Sequence, residues 1–195
     1  YYAKRFFAPV MISCEEQNWM TASADMNRQH FTFEKSIRLN VTNETFEEKK
    51  LTVRWALRNA DASVVREGKT DVCVSPFSAL WMDKGLLPEA DVFHQYVSYE
   101  AVENDTVISF GTVIFSYPKY FCYENPNLQM RVEGDEIIVQ ADTYAKSVEI
   151  LNENEDLVLE DNYFDMNGGS RRVKILRGEP EKLRVRSVYD IGRME

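Results

Sequence analysis

The stretch of sequence that decides the fold is Leu51-Thr52-Val53-Arg54-Trp55-Ala56-Leu57-Arg58. Large apolar residues stand at every second position, and mostly polar residues stand between them. Because successive side chains of a strand point to opposite faces, this order makes one face apolar and the other mostly polar. The alternation predicts a half-buried strand of an antiparallel sheet, with Trp55 as an anchor of the core.

The same period of two recurs in short runs on both sides of this strand, and turn-rich or charged stretches separate the runs. Seven short strands with frequent turn signals predict a β-sandwich. The other six predicted strands are residues 10–14, 36–41, 64–74, 79–82, 95–102 and 107–116. Residues 17–35 are polar and irregular, and they are predicted to form a long loop.

A second strand pattern begins after Tyr117-Pro118, so residues 119–127 are predicted to be a linker. Turns are expected at Gly134-Asp135 and at Asn167-Gly168-Gly169 because glycine allows tight turns. The predicted strands of this second, smaller domain are 128–133, 136–141, 147–151, 157–160, 171–176 and 183–188.

Four aromatic side chains crowd the first seven residues: Tyr1, Tyr2, Phe6 and Phe7. Tyr2 and Phe6 are four residues apart, so one helical turn places them on the same face. Pro9 disfavours helix at the residue before it and ends the turn. A helix this short is marginal in water, so we expect residues 1–8 to end a helix of a preceding domain.

Residues 2–10, Tyr-Ala-Lys-Arg-Phe-Phe-Ala-Pro-Val, followed by Ile12-Ser13-Cys14, resemble the C-terminal region of glycoside hydrolase family 2 β-mannosidases. There, the last helix of a (β/α)8 catalytic barrel runs into the first strand of an immunoglobulin-like domain. Later segments resemble the middle and last strands of that domain and the terminal immunoglobulin-like domain of the family. These segments are 53–58, 78–81, 111–120 and Asp161-Asn162-Tyr163-Phe164-Asp165 with the glycine turn and Arg171-Arg172-Val173 after it.

This resemblance covers essentially the whole chain and implies an all-β fold. Two tandem immunoglobulin-like β-sandwiches, 9–118 and 128–195, would follow a short helical remnant of the barrel at 1–8. The parent enzyme would be a retaining glycosidase that hydrolyses terminal β-mannosides through two glutamates upstream of this chain. The chain itself would then be non-catalytic and would hold no cofactor. Its partner would be the catalytic barrel of the same polypeptide, contacted through Tyr1, Tyr2, Phe6 and Phe7.

The residues themselves also argue against a catalytic or metal site. The acidic clusters at 15–16, 47–48 and 153–156 are predicted to lie in solvated turns, whereas a catalytic carboxyl pair needs a cleft and one raised pKa. The two histidines, His30 and His94, and the three cysteines have no metal-ligand spacing. The cysteines are predicted to be buried, as is Phe164, and the acids at 161 and 165 are predicted to stabilise turns.

Charge and hydropathy exclude two classes of partner. The net charge is −9, and a nucleic-acid binder needs a basic surface. No apolar run approaches the roughly 20 residues of a membrane-spanning helix. Compartment stays open: the parent fits secretion, a periplasm or a lysosome-like compartment, and the cytoplasm is not excluded.

Two alternative functions stay open beside scaffolding. A carbohydrate-binding module would grip a polysaccharide with a sandwich face or with Trp19, whose ring could stack on sugars. A cell-surface adhesion module with two immunoglobulin-like domains would leave the aromatic N-terminus without a role. Trp81 is either a core residue or a contact to a neighbouring domain.

Overall fold

The computed structural model describes residues 1–17, 33–154 and 156–191, which form two compact units. The N-terminal unit comprises Lys4–Asn59 and Val64–Cys122, and the C-terminal unit comprises Tyr1–Ala3, Ala60–Ser63 and Tyr123–Glu195. The division between Cys122 and Tyr123 falls inside the predicted linker, while the finer domain bounds stay predictions. Most of the predicted loop at 17–35 lies outside the described residues.

The N-terminal unit is built from two four-stranded sheets. In one sheet β2 pairs with β1, β5 and β6, and the other sheet has the order β4-β3-β7-β8, with all pairs antiparallel. Edge strand β1 is tied to β8 because the Ile12 N–H donates to Ser109 Oγ over 3.1 Å. The strands are β1 (Val10–Gln17), β2 (Ser36–Asn43), β3 (Lys49–Asn59), β4 (Val64–Val74), β5 (Ser78–Trp81), β6 (Gly85–Leu86), β7 (Gln95–Glu103) and β8 (Thr106–Ile114).

Strand β3 confirms the alternation that opened the sequence. Leu51, Val53 and Leu57 are at most 3% exposed, and they belong to two apolar clusters that fill the core. Trp55 packs against both clusters but stays half-buried. On the opposite face Arg54 is exposed, as predicted, whereas Ala56 is buried.

Trp55 is half-buried because it takes part in a row of four paired residues that crosses the second sheet. Trp55 pairs with Gly68 on β4 and with Tyr99 on β7, and Tyr99 pairs with Gly111 on β8. Each ring lies over the glycine next to it. A Cβ at residue 68 would lie 2.6 Å from Trp55 Nε1, and one at residue 111 would lie 2.6 Å from Tyr99 Cζ. The row therefore has room for two large rings only because its outer residues lack side chains.

The C-terminal unit is organised around two long antiparallel strands, β10 and β12. On its other edge β10 pairs with β9 near its beginning and with β13 near its end. Buried side chains of β10 include Ile137, Val139 and Val148, each 0% exposed. The elements are β9 (Gln129–Glu133), β10 (Glu136–Leu151), β11 (Val158–Leu159), β12 (Phe164–Arg177) and β13 (Arg184–Arg186).

Several predictions for this unit were wrong in detail, although Gly134-Asp135 does form the predicted turn. The two strands predicted at 136–141 and 147–151 are one strand, β10. The tight turn predicted at 167–169 lies inside β12. Gly168 and Gly169 have φ of +75° and +76° and stand opposite a register shift of β10 between Ala141 and Tyr144. Glycine serves a bulge there as readily as a turn, because both need positive φ.

Helices are short in the described part of the chain. Helix α1 (Tyr2–Phe6) matches the predicted helical start, and a 3₁₀ turn spans Pro118–Tyr120. Helix α2 (Val188–Ile191) was not predicted and follows β13 where a longer strand was expected. Asp190 Oδ2 accepts the N–H of Ser187 over 2.7 Å, which caps this last turn. None of the described residues forms a helix able to cross a bilayer.

Candidate functional site

The N-terminal aromatic residues divide into two pairs with different surroundings. The rings of Tyr1 and Tyr2 lie 6.1 and 6.2 Å from the ring of Tyr163, and Tyr1 Oη accepts the N–H of Leu159 over 3.3 Å. Phe6 and Phe7, by contrast, are 67% and 86% exposed. The expectation that all four contact a preceding barrel stays a prediction, but the two phenylalanines present most of the apolar surface.

Tyr163, which receives the two tyrosines, is held in an unusual backbone conformation. Its φ is +58°, a region that large side chains rarely occupy. The Tyr163 hydroxyl donates to Glu149 Oε1 over 2.9 Å, and Arg186 Nε donates to Glu149 Oε2 over 2.6 Å. The hydrogen bond to Glu149, followed by partial burial, raises the pKa of Tyr163. The phenol therefore stays neutral and acts as a structural donor.

The neighbours of Tyr163 in the Asp161–Asp165 motif hold strand β10 through side-chain hydrogen bonds. Buried Asn162 uses both ends of its amide on one residue: Oδ1 accepts the Ile150 N–H over 2.8 Å, and Nδ2 donates to the Ile150 carbonyl over 3.0 Å. Asp165 Oδ1 accepts the N–H of Ser147 over 2.7 Å. Ser147 has φ of +51° and lies at the second register shift of β10. The motif thus supplies hydrogen bonds to β10 at its second register shift, through Asp165, and beyond its last residue paired with β12, through Asn162.

The predicted roles of the motif are therefore confirmed in part. Phe164 is 1% exposed, as expected, and the guanidinium carbon of Arg171 lies 4.3 Å from its ring centroid. Asp161 Oδ2 accepts from Arg171 Nη2 over 2.7 Å, which orients that cation over the ring. Asp165 stabilises a bulge rather than a turn. Sequence reasoning missed Asn162, whose only signal was a polar residue inside an otherwise aromatic and acidic motif.

Four exposed carboxylates, Asp61, Glu89, Asp91 and Glu133, have a lowered pKa, as charged and solvated groups do. In each case a hydrogen bond is the main cause of the lowered pKa. Asp61 accepts from Ser63, Glu89 from its own backbone, Asp91 from the Phe93 N–H and Glu133 from Arg131. Glu15 and Glu16 lie in β1 rather than in the predicted turn. Across residues 1–17, 33–154 and 156–191, no three His, Cys, Asp or Glu side chains come together as metal ligands.

The cysteines differ from the prediction that all three are buried. Cys73 and Cys122 are exposed, and only Cys14 packs partly into the core. Burial raises the pKa of the Cys14 thiol to about 12, with the charge of Glu16 adding to the effect. A thiol with so high a pKa is a poor nucleophile, so Cys14 serves packing.

Trp55 and Trp81 are the two tryptophans within the described residues, and their surroundings differ. Trp81, on edge strand β5, is 48% exposed, so it is not a core residue. The guanidinium carbon of Arg38 lies 5.0 Å from its ring centroid. Trp55 belongs to the core row described above. Trp19, the candidate sugar contact, lies outside the described residues.

Comparison with known domains identifies both units. A model of the mannosidase Ig/CBM-like domain matches residues 35–120, and a model of the Ig-fold domain named Ig_mannosidase matches residues 123–191. The chain carries two mannosidase-type immunoglobulin-like domains. No curated protein matches the chain.

Solved structures share the fold of these mannosidase-type domains. A β-D-mannosidase from Dictyoglomus thermophilum is similar with a TM-score of 0.71 and 15% identity, over 96% of this chain and 22% of that one. An exo-chitosanase from Amycolatopsis orientalis is similar with a TM-score of 0.53 and 12% identity, over 80% of this chain and 24% of that one. The mannosidase-type domains thus span about a quarter or less of these proteins.

Proposed function

We propose that this chain is a non-catalytic accessory region of a β-mannosidase-like enzyme of glycoside hydrolase family 2. It would support and shield the catalytic barrel of the same polypeptide. The observation that carries the proposal is the tandem order of two mannosidase-type domains, at 35–120 and 123–191. The similarity in fold to a β-D-mannosidase over 96% of this chain supports it further.

The surface of the N-terminal segment supports a contact to a large neighbour. Phe6 and Phe7 are mostly exposed, and exposed apolar side chains in sequence favour a buried interface in the complete protein. Tyr1 and Tyr2 already have a ring partner in Tyr163. We therefore assign the phenylalanines the main contact to the barrel and the tyrosines the task of fixing the segment.

The proposal leaves the chemistry to the parent enzyme. A retaining glycosidase needs two carboxyl groups about 5–5.5 Å apart, one of them protonated before the first step. Burial and like charge raise the pKa of such an acid. Hydrogen bonds instead lower the pKa of Asp61, Glu89, Asp91 and Glu133. These groups suit surface stabilisation and not proton donation.

The test compares the purified 195-residue chain with the longer protein that carries it. We expect no turnover of an aryl β-mannoside by the chain alone, and we expect the longer protein to inactivate faster on heating once residues 1–195 are removed. Turnover that persists through purification of the chain would contradict the accessory role. An unchanged inactivation rate after the removal would contradict the support of the barrel.

Carbohydrate binding is the second candidate, because Trp81 presents an exposed ring beside Arg38 on β2. Scaffolding is better supported, since the Arg38 guanidinium over the indole competes with a sugar for a ring face. Titration calorimetry of the same chain with mannan separates the two functions. Saturable heat that disappears with Trp19→Ala or Trp81→Ala would favour a binding module, and absence of heat is the expected result.

A further inference from the structure

Two exposed phenylalanines form a pair at one end of the N-terminal unit. Phe46 follows β2 and is 87% exposed, and Phe77 follows β4 and is 62% exposed. Their ring centroids are 4.8 Å apart and the rings are perpendicular, at 87°. Single apolar side chains on a surface are ordinary, but two in contact form a continuous apolar patch. We call Phe46 and Phe77 the phenylalanine pair.

One buried amide positions both loops that carry the pair. Asn43 is 0% exposed, and its Nδ2 donates to the carbonyls of Glu47, Val74 and Ser75 over 2.8, 3.0 and 3.1 Å. Its Oδ1 accepts the N–H and the hydroxyl of Thr45 over 3.0 and 2.7 Å. The loop after β2 and the loop after β4 are therefore tied to the same side chain. Such a fixed, exposed pair is preorganised for contact.

The backbone of Phe77 has a conformation that is unfavourable for a bulky residue. Its φ is +49°, in the left-handed region that glycine and asparagine occupy readily and bulky residues avoid. Strained residues of this kind persist where the surrounding structure holds them, and they cluster at functional contacts. Here the strained residue exposes its aromatic ring to solvent, so the ring contributes little to the stability of this chain.

We propose that the phenylalanine pair docks into an apolar pocket on the upstream catalytic domain of the same polypeptide. This inference rests on the proposed function. The similar solved structures are several times longer than this chain, which covers 22% and 24% of them. The N-terminal segment also reaches this end of the unit, because the Glu44 N–H donates to the Pro9 carbonyl over 2.8 Å. Phe7 lies two residues before Pro9 and is 86% exposed.

The charges around the phenylalanine pair indicate which charges the rim of the partner's pocket should carry. Glu44, Glu47 and Glu48 flank Phe46 in the chain, and all three are exposed. A partner that buries the rings beside three carboxylates should carry lysine or arginine at its edge, since complementary charge favours the correct orientation. The perpendicular rings do not form the flat platform on which a sugar ring stacks, so a protein pocket fits this geometry better than a glycan.

The test uses Phe46→Ala/Phe77→Ala in the longer protein and in the 195-residue chain. Truncated interface aromatics weaken contacts strongly, so we expect the catalytic activity of the longer protein to be lost on heating about tenfold faster. We expect the melting temperature of the 195-residue chain to change little. Val65→Ala, an apolar truncation at a residue that is 47% exposed on β4, should leave both measurements unchanged. Phe46→Leu/Phe77→Leu should restore most of the resistance to heat.

Three outcomes would overturn the docking. An unchanged inactivation rate in the double variant would do so, and so would an equal loss of stability in the 195-residue chain, because the pair would then act within this chain. Concentration-dependent self-association of the chain that the double variant abolishes would make a second copy the occupant. The proposed function fails separately, if removal of residues 1–195 leaves the inactivation rate unchanged.

Discussion

The two units reach a similar kind of fold by different means. In the N-terminal unit, two four-stranded sheets enclose apolar clusters, and a row of glycines and aromatic rings sets the fit within one sheet. In the C-terminal unit, two strands of 16 and 14 residues run through most of the structure. There, polar side chains bond the backbone of β10 at a register shift and beyond its last residue paired with β12.

The difference accompanies strand length and irregularity. The strands of the N-terminal unit are at most 11 residues long, and each of their two irregular pairings has a single register shift. Packing between the two layers is their main support. A long strand has to bend to follow a closed core, and each bend leaves backbone groups without a partner strand. Asn162 and Asp165 supply those partners in the C-terminal unit. We expect truncation of Asn162 to be costly there, and volume changes in the glycine row to be costly in the N-terminal unit.

The largest effect should follow from Asn162→Ala. The change leaves the buried N–H and carbonyl of Ile150 unpaired, and each unsatisfied group costs about 1–3 kcal/mol. We therefore expect the free energy of unfolding to fall by roughly 2–6 kcal/mol. Urea denaturation followed by circular dichroism measures the loss. Tryptophan emission provides a second probe of the N-terminal unit, because all three tryptophans precede residue 82.

The matched control is Gln140→Ala, which removes an exposed amide side chain from the same unit, on β10. Its effect should stay within about 0.5 kcal/mol, as for most surface changes. If the two variants had equal stability, the hydrogen bonds between Asn162 and Ile150 would contribute nothing to the free energy of unfolding. The contrast between the units would then be lost.

Intermediate effects are expected at the two glycines of the N-terminal unit. Gly68→Ala and Gly111→Ala each place a methyl group in the space of an aromatic ring, and overpacking costs about 1–3 kcal/mol. Gly85→Ala is the control, because its new Cβ would lie 3.6 Å from Ile37 Cγ1, an ordinary contact. Thermal unfolding of the three variants decides: equal melting temperatures would remove the glycine row as a determinant of the fold.

The smallest effect at neutral pH comes from Cys14, because its contribution changes only under alkaline conditions. The Cys14 pKa is raised from 9.0 to about 12 in the folded chain, so the folded state keeps a proton that the unfolded state loses. The stabilisation is complete below pH 9 and decreases as the pH rises towards 12, by at most about 1.4 kcal/mol per pH unit. Urea midpoints between pH 8 and 10.5 should fall less steeply in Cys14→Ala than in the wild type.

Cys122→Ala, at an exposed cysteine, is the control for this slope and should behave like the wild type. Tyr163 also has a raised pKa, through its hydrogen bond to Glu149, so some alkaline loss should remain in every variant. A Cys14→Ala slope identical to the wild type would mean that the thiol is as accessible as Cys122, against its place beside the core.

How far the sequence predicted the structure depends on the range of the interaction concerned. Alternation located β3 and its buried face, since side-chain direction in a strand is a local property. The same reasoning divided β10 in two and made a turn of Gly168 and Gly169, because a bulge and a turn use the same residues. Only pairing with a distant strand distinguishes them. Asn43 carried no recognisable signal, as its partners Val74 and Ser75 are about 31 residues away.

The sequence by itself determined the all-β class and the half-buried strands through periodicity, which acts over a few neighbouring residues. Local motifs carried the resemblance to mannosidase-type immunoglobulin-like domains. Only the tertiary structure decided that Asn43 and Asn162 hold loops and strands, and that Phe46 meets Phe77. These contacts join residues that are far apart in the sequence, and only folding brings such residues together.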